Sequence, residues 1–183
     1  MAFNNDLARQ QLAAHVSFIE SNTDDFVRVI PENNKLRDLV SIVEPSRVYE
    51  CKTDYYYLGN VTIEVASNFY NPPAFWTAKR IQRPNDPTYN DALDWCFSQL
   101  DNPKKRALGT DDNLEDKHLL SYHVVKGRFG YLADIREMQS YIAANEGAFP
   151  LMLVGGKSQD SWYSASYLIP YAEFETVATK HAL

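Results

Sequence analysis

The sequence predicts a mixed α/β chain folded as one domain, residues 1–183, with a largely antiparallel central sheet flanked by helices. Three observations predict this. Short runs rich in β-branched and aromatic residues are separated by Pro, Gly and Asn turns. Residues 4–22 and 133–145 carry apolar side chains at helical spacing. A length of 183 residues with 45% hydrophobic and 13% aromatic content is enough for one real core.

Taken in order, residues 4–22 form an amphipathic helix, with Leu7, Leu12, Val16 and Ile19 on one face and Asn4 or Asn5 as its cap. Phe26 to Ile30 is a short strand stopped by Pro31, and Pro31 to Asn34 is a turn. Leu36 to Val43 is a second strand, carrying Asp38. Glu44-Pro45-Ser46 turns the chain back into a strand from Arg47. Residues 68–87 are broken by prolines, and residues 90–100 fit either a helix or a strand centred on Trp95. Residues 101–118 are a charged surface loop. Leu119 to Val125 is a strand, Gly127 to Gly130 a turn, and Ala133 to Asn145 a helix with Ile135, Met138 and Ile142 facing inward. Strands follow at 151–154 and 161–169, and Tyr171 to His181 is a closing helix.

The stretch Arg47 to Ser67 holds the most unusual pattern. It reads as two strands joined at Leu58-Gly59-Asn60, with Gly59 taking a positive φ. Side chains alternate faces along a strand, so Glu50, Lys52 and Asp54 share one side while Tyr49, Cys51 and Thr53 take the other. A hairpin with a three-residue loop sets Asp54 opposite Glu64 and Lys52 opposite Ala66. Two carboxylates facing one another repel unless a cation separates them.

Bulk charge narrows the functions. The net charge of −6 argues against a large electrostatic footprint for nucleic acid, whose affinity comes mostly from Lys and Arg on phosphates. It does not exclude a nuclease, because a bound metal offsets its acidic ligands. No apolar run reaches transmembrane length, and MAFNNDLARQ lacks the basic start and apolar core of a signal peptide. Two cysteines make neither a disulfide framework nor a zinc knuckle, so the expected compartment is a reducing cytoplasm.

Asp38 and the triplet Glu50-Cys51-Lys52 form an Asp, 11-residue, Glu-x-Lys pattern. Hydrolysis of a phosphodiester needs Mg²⁺ or Mn²⁺ to neutralise the phosphate and supply a nucleophile, and hard cations take carboxylate oxygens. Asp38 and Glu50 would be the metal ligands. Lys52, about 7 Å further along the same face, could orient or deprotonate the attacking water. Convergence requires Asp38 and Glu50 on one face, and a three-residue turn at Val43-Glu44-Pro45 places them opposite each other.

With Glu50-Cys51-Lys52-Thr53-Asp54, Gly59-Asn60 and Ile63-Glu64 in place, the chain resembles the PD-(D/E)xK nuclease superfamily. The likeness is to its small phage and mobile-element members. It extends weakly through Trp76-Thr77-Ala78-Lys79, Asp94-Trp95, Asp134-Ile135-Arg136 and Tyr167-Leu168-Ile169-Pro170. The resemblance implies a restriction-endonuclease-like fold and a metal-dependent DNA endonuclease in the host cytoplasm. Asp38, Glu50 and Lys52 would be its catalytic residues, with Asp54 and Glu64 as auxiliary acids. Arg37 stands where a proline is usual before the first Asp, and Asn71-Pro72-Pro73 replaces a glycine-rich segment. Lys79, Arg80 and Arg83 form a basic cluster suited to DNA phosphates. The alternative class is a non-catalytic binding or regulatory protein on the same scaffold, which leaves open a protein partner and a homodimer.

Other motifs carry less. Val154-Gly155-Gly156-Lys157-Ser158 ends like a phosphate-binding loop, but Leu151 stands at its first glycine and a strand follows it. His118 and His123 lack metal-ligand spacing and read as exposed or core residues. There is no G-x-S-x-G. Cys51 faces the core, Tyr55-Tyr56-Tyr57 packs on both faces of its strand, and Glu20 reads as a helix-surface carboxylate.

Overall fold

The computed structural model of the chain describes residues 5–34, 37–55, 59–65, 98, 107–145, 147–155 and 163–183. These form a mixed α/β protein with few helices, a largely antiparallel six-stranded sheet and a separate three-stranded one. They divide into two compact units.

The first unit takes Met1–Gly59, Asn113–Tyr141 and Tyr171–Leu183. Helix α1 (Asn5–Asn22) leads into β1 (Val27–Asn34), β2 (Arg37–Ser41) and β3 (Arg47–Asp54). Leu12, Val16 and Ile19 of α1 pack on Val27, Leu39, Tyr49, Cys51, Leu119 and Leu132, the stripe expected from their spacing. Ile19 and Leu39 are fully buried. Removing a core side chain of this size typically costs about 2–5 kcal/mol, the loss expected of Leu39→Ala. The helix stops where Asn22 and Thr23 side chains donate to the carbonyls of Phe18 (2.8 Å) and Ile19 (2.7 Å), satisfying its last turn. Buried Asp25 then ties the corner together. It accepts from Ser41 Oγ, from Tyr49 OH at 2.7 Å and from Phe26 N at 2.9 Å, with Arg47 at 3.1 Å. Burial alone would raise its pKa. The hydrogen bonds from Ser41, Tyr49 and Arg47 outweigh that and hold it below the usual carboxylate range.

The sheet continues with β5 (Lys117–Val124), β6 (Phe129–Asp134) and β9 (Ala178–Ala182), in the order β1-β2-β3-β5-β6-β9. Every neighbouring pair is antiparallel except β3 and β5, which run parallel from Arg47 beside Lys117 to Asp54 beside Val124. Helix α2 (Ile135–Ala144) follows β6, and the single turn α3 (Tyr171–Phe174) precedes β9. Asp134 caps α2, its Oδ1 accepting from the amides of Arg136 and Glu137. The strand therefore runs to Asp134, and the helix begins two residues later than expected at Ala133.

The second unit holds Asn60–Asp112 and Ile142–Pro170. Its antiparallel sheet has β8 (Tyr163–Pro170) between β4 (Asn60–Glu64) and β7 (Leu151–Gly155). A turn at Ala107–Thr110 closes on β4 through Gly109 N to Glu64 O at 2.8 Å.

Three sequence expectations are corrected. The hairpin of residues 47–67 does not form: β3 lies between β2 and β5, while β4 pairs with β8. Asp54 stands beside Val124 and Glu64 beside Ser166, in different sheets. Gly59 does take a positive φ of 77°, but β3 and β4 on either side of it do not pair. A strand this apolar gains more by burying both faces mid-sheet, and the long connection to β5 permits a parallel pairing. Pro31 does not stop the first strand; β1 runs to Asn34 along the sheet edge, where a missing N–H costs no ladder bond. The closing helix is only one turn, because Ala178 to Ala182 instead extends the sheet against β6.

No helix among the described residues is long and apolar enough to cross a membrane.

Candidate acidic site on the central strand

Strand β3 presents two different faces. Tyr49, Cys51 and Thr53 point toward α1, where Cys51 packs against the Ile19 cluster. Burial pushes the Cys51 thiol up, so it is a packing group and not a nucleophile. Glu50, Lys52 and Asp54 occupy the opposite face. Their parallel neighbours there are Leu120, Tyr122 and Val124, all buried. Glu50 is buried on this face with them.

The β2–β3 register pairs Leu39 with Tyr49 and Val40 with Val48, and one further step sets Asp38 opposite Glu50. The expected three-residue turn has this same parity. Asp38 Oδ2 accepts the Cys51 amide at 2.8 Å, which locks the first carboxylate against the second strand. Glu50 is buried, and Lys52 Nζ lies 3.3 Å from its Oε1. Asp38, Glu50 and Lys52 are thus brought together as their spacing requires.

The proton balance of this cluster is lopsided. Glu50 is raised to about 8, first by burial and then by the Asp38 charge, whose side chain also accepts a hydrogen bond from protonated Glu50. Lys52 pulls the other way through its charge and its hydrogen bond, yet Glu50 stays high. The ion-pair distance and the raised pKa point in opposite directions. Burial decides, because the Lys52 side chain is 37% exposed and water screens its charge. A carboxyl pair that holds a proton near neutrality is a site that a cation would relieve.

The other expected residues are scattered. Asp54 shares the β3 face but lies two residues beyond Lys52, about 7 Å further along. Glu64 belongs to the second unit's sheet. Lys79, Arg80 and Arg83 lie outside the described residues, as do Trp76-Thr77-Ala78, Asp94-Trp95 and Asn71-Pro72-Pro73. Glu20 is exposed on α1, and its Oε1 accepts the Val27 amide at 3.2 Å, a structural task on the far face of the sheet. Tyr55 is exposed and accepts from Gln11 Nε2. Among the described residues, no three or more His, Cys, Asp or Glu side chains gather to hold a metal unaided.

Sequence reasoning left two features unassigned. Tyr122 stands directly beside Lys52, detectable only as part of the apolar run that marks a central strand. His15 bonds Ser121 Oγ at 2.7 Å and Thr53 Oγ1 at 2.9 Å, and its ring stacks on His123 at 3.7 Å between centroids. The stripe of α1 gave no sign that a histidine would be buried beside it.

Compared with protein-family models, with curated proteins and with solved structures, the chain gives no significant match.

Proposed function

We propose that the chain is a metal-dependent nuclease acting on DNA phosphodiester bonds, built on a restriction-endonuclease-like core. The observation that carries this reading is the convergence of Asp38, Glu50 and Lys52 on one face of two adjacent strands, with one carboxyl desolvated and the ammonium beside it. Two carboxylates are a sparse donor set. Mg²⁺ or Mn²⁺ suits such a set, since these ions keep several waters and complete their shell with substrate phosphate oxygens. The paired carboxyls, one of them raised by burial and by the other's charge, fit that role. Asp38 and Glu50 would hold the ion, which would supply charge neutralisation and an acidified water when bound. Lys52 would hold the nucleophilic water and move its proton, and Tyr122 and Leu120 would exclude bulk solvent from Glu50.

The testing experiment is nicking of supercoiled plasmid and cleavage of single-stranded DNA with Mg²⁺ or Mn²⁺, against an EDTA control. Cleavage by wild type that is lost in Glu50→Gln supports the reading. Equal cleavage by both proteins places the activity elsewhere.

A second reading, a non-catalytic binding protein on this scaffold, draws on the net charge of −6 and on exposed Phe26, Ile42 and Val43. It predicts no cleavage of either substrate under any metal.

A further inference from the structure

The exposed apolar corner lies on the same sheet face as the carboxylates. Arg28 stands opposite Val40 in the β1–β2 ladder, and Val40 alternates with Asp38 along β2. Ile42 N donates to Phe26 O at 2.8 Å, which carries the ladder one step beyond Val27 and Ser41. Val27 and Ser41 are buried toward the α1 side, so Phe26, Arg28 and Ile42 point to the face of Asp38 and Glu50. Phe26 is 59% exposed and Ile42 62% exposed, and Arg28 is exposed between Phe26 and the acidic pair. Arg28 is a diagonal neighbour of Asp38, about 7–8 Å away across the ladder, and Phe26 lies about another 7 Å along β1. Read outward from the carboxylates, the face offers a cation and then an aromatic ring.

We propose that Phe26 and Arg28 form a subsite for single-stranded nucleic acid, the ring stacking on a base and the guanidinium contacting a phosphate. The proposal rests on reading Asp38, Glu50 and Lys52 as a phosphodiester site, whose substrate class it narrows. A ring lying open on a sheet face takes any base, because every base has a π-face. A duplex hides its bases, so the ring would gain nothing from it. The net charge of −6 agrees, since a long duplex needs many more cations than one arginine supplies. The steps from carboxylate to Arg28 to Phe26 are comparable to successive nucleotides of an extended strand leaving the scissile phosphate.

The test is fluorescence anisotropy of a labelled oligothymidylate in EDTA, which separates binding from cleavage, with a hairpin duplex of the same labelled end as comparison. Phe26→Ala should weaken oligothymidylate binding about 5- to 150-fold, the usual worth of one base–aromatic stack. Phe26→Trp should restore it, and neither should change duplex binding. Arg28→Gln should lower the slope of log affinity against log salt by about 0.7, one single-strand phosphate contact. The side chains are exposed, so the variants should melt with wild type, and the Trp variant guards against a folding artefact. Wild type that does not bind the oligonucleotide overturns the proposal. So does unchanged binding in Phe26→Ala, the result expected if this corner docks a protein. Failures stay separable: a protein that binds through Phe26 but cuts nothing refutes only the nuclease reading. A protein that cuts DNA with Phe26→Ala binding normally refutes only the subsite.

Discussion

The ammonium of Lys52 stands 3.3 Å from Oε1 of Glu50, and Glu50 nonetheless keeps its proton at neutral pH. Proximity alone would forecast an ionised carboxylate. The side of β3 that Glu50 occupies faces Leu120, and its other neighbour across the ladder is Asp38, so both low dielectric and like charge oppose ionisation. The fold thus holds an acid in reserve at the place where a cation would make it a ligand.

That reserve should appear in stability. Glu50 is raised from 4.5 to about 8 on folding, so between those values the folded state binds more protons than the unfolded state. The contribution of Glu50 to stability therefore falls as pH rises through this window, by at most about 1.4 kcal/mol per pH unit. Glu50→Gln should remove the loss. In urea titrations without metal, the variant should match or exceed wild type at pH 8 and lose its advantage toward pH 5. A constant difference between the two proteins at both pH values would show that Glu50 is not desolvated.

Acid should act on a different element. His15 and His123 lie stacked and buried under α1, held at about 3 and about 4, both first by burial, with the His123 charge also lowering His15. Facing them are Thr53 from β3, Ser121 from β5 and Phe18 from α1, with His181 of β9 against Phe18; among the described residues, no carboxylate bonds to either ring. The unfolded chain protonates near 6.5 and the folded chain only near 4 and 3. Stability is full above pH 6.5 and falls as pH drops toward those values, by up to about 1.4 kcal/mol per unit for each ring. His123→Phe should flatten the slope of thermal melting temperature against pH between 6.5 and 4.5. An unaltered slope in the variant would place the acid sensitivity outside the stack.

Gly130 sits against this stack, directly across the ladder from His123. A Cβ there would lie 2.9 Å from Phe18 Cζ, so that ring must shift, and 3.0 Å from His123 Cδ2, a contact tight enough to press on the stack. Gly130→Ala should cost about 1–3 kcal/mol in denaturant unfolding, the usual range for overpacking. A loss below about 0.5 kcal/mol would mean that Phe18 swings away freely.

The acidic pair was legible in sequence because it depends only on parity: a three-residue turn between Ile42 and Ser46 brings Asp38 across from Glu50 whatever else the chain does. Strand partners were not. The alternation that defines β3 and β4 says which faces are polar, never which strand lies alongside, so sequence order alone predicts the nearest strand as the neighbour. The true neighbour, β5, is parallel and reached only through a long connection. The tail misled for a related reason, since ATKHA has weak strand propensity and becomes β9 through pairing with β6. His15 was illegible because its burial depends on Thr53 and Ser121, two hydroxyls that the helix stripe cannot announce.

A cation at the paired carboxyls should also register thermally. Mg²⁺ or Mn²⁺ binding only the folded state stabilises it by mass action, by about 2.7 kcal/mol at one hundred times the dissociation constant, and so raises the melting temperature. Binding should also release a proton near pH 7, since Glu50 must ionise to ligate. The double variant Asp38→Asn with Glu50→Gln should lose both the thermal shift and the proton release. A shift that persists in the double variant puts the metal at another place on the chain.

Lys52 separates an enzyme from a scaffold. Should its amine hold and deprotonate the water, Lys52→Ala would cut nuclease activity by about 10²–10⁴-fold, the range for one acid–base group. Metal binding would be kept, because an ammonium is no ligand and its loss removes a charge that repels the cation. Proton release on metal binding should grow, since Lys52 lowers Glu50 and its removal leaves Glu50 more fully protonated. Should Lys52 serve only to offset Glu50, the variant would lose under about 1 kcal/mol of stability, as befits a side chain 37% exposed, and no cleavage would change. The measurement pairs a nicking assay with isothermal titration of Mn²⁺ in two buffers of different ionisation heat. Full-rate cleavage by Lys52→Ala would remove Lys52 from the chemistry, even with the metal site intact.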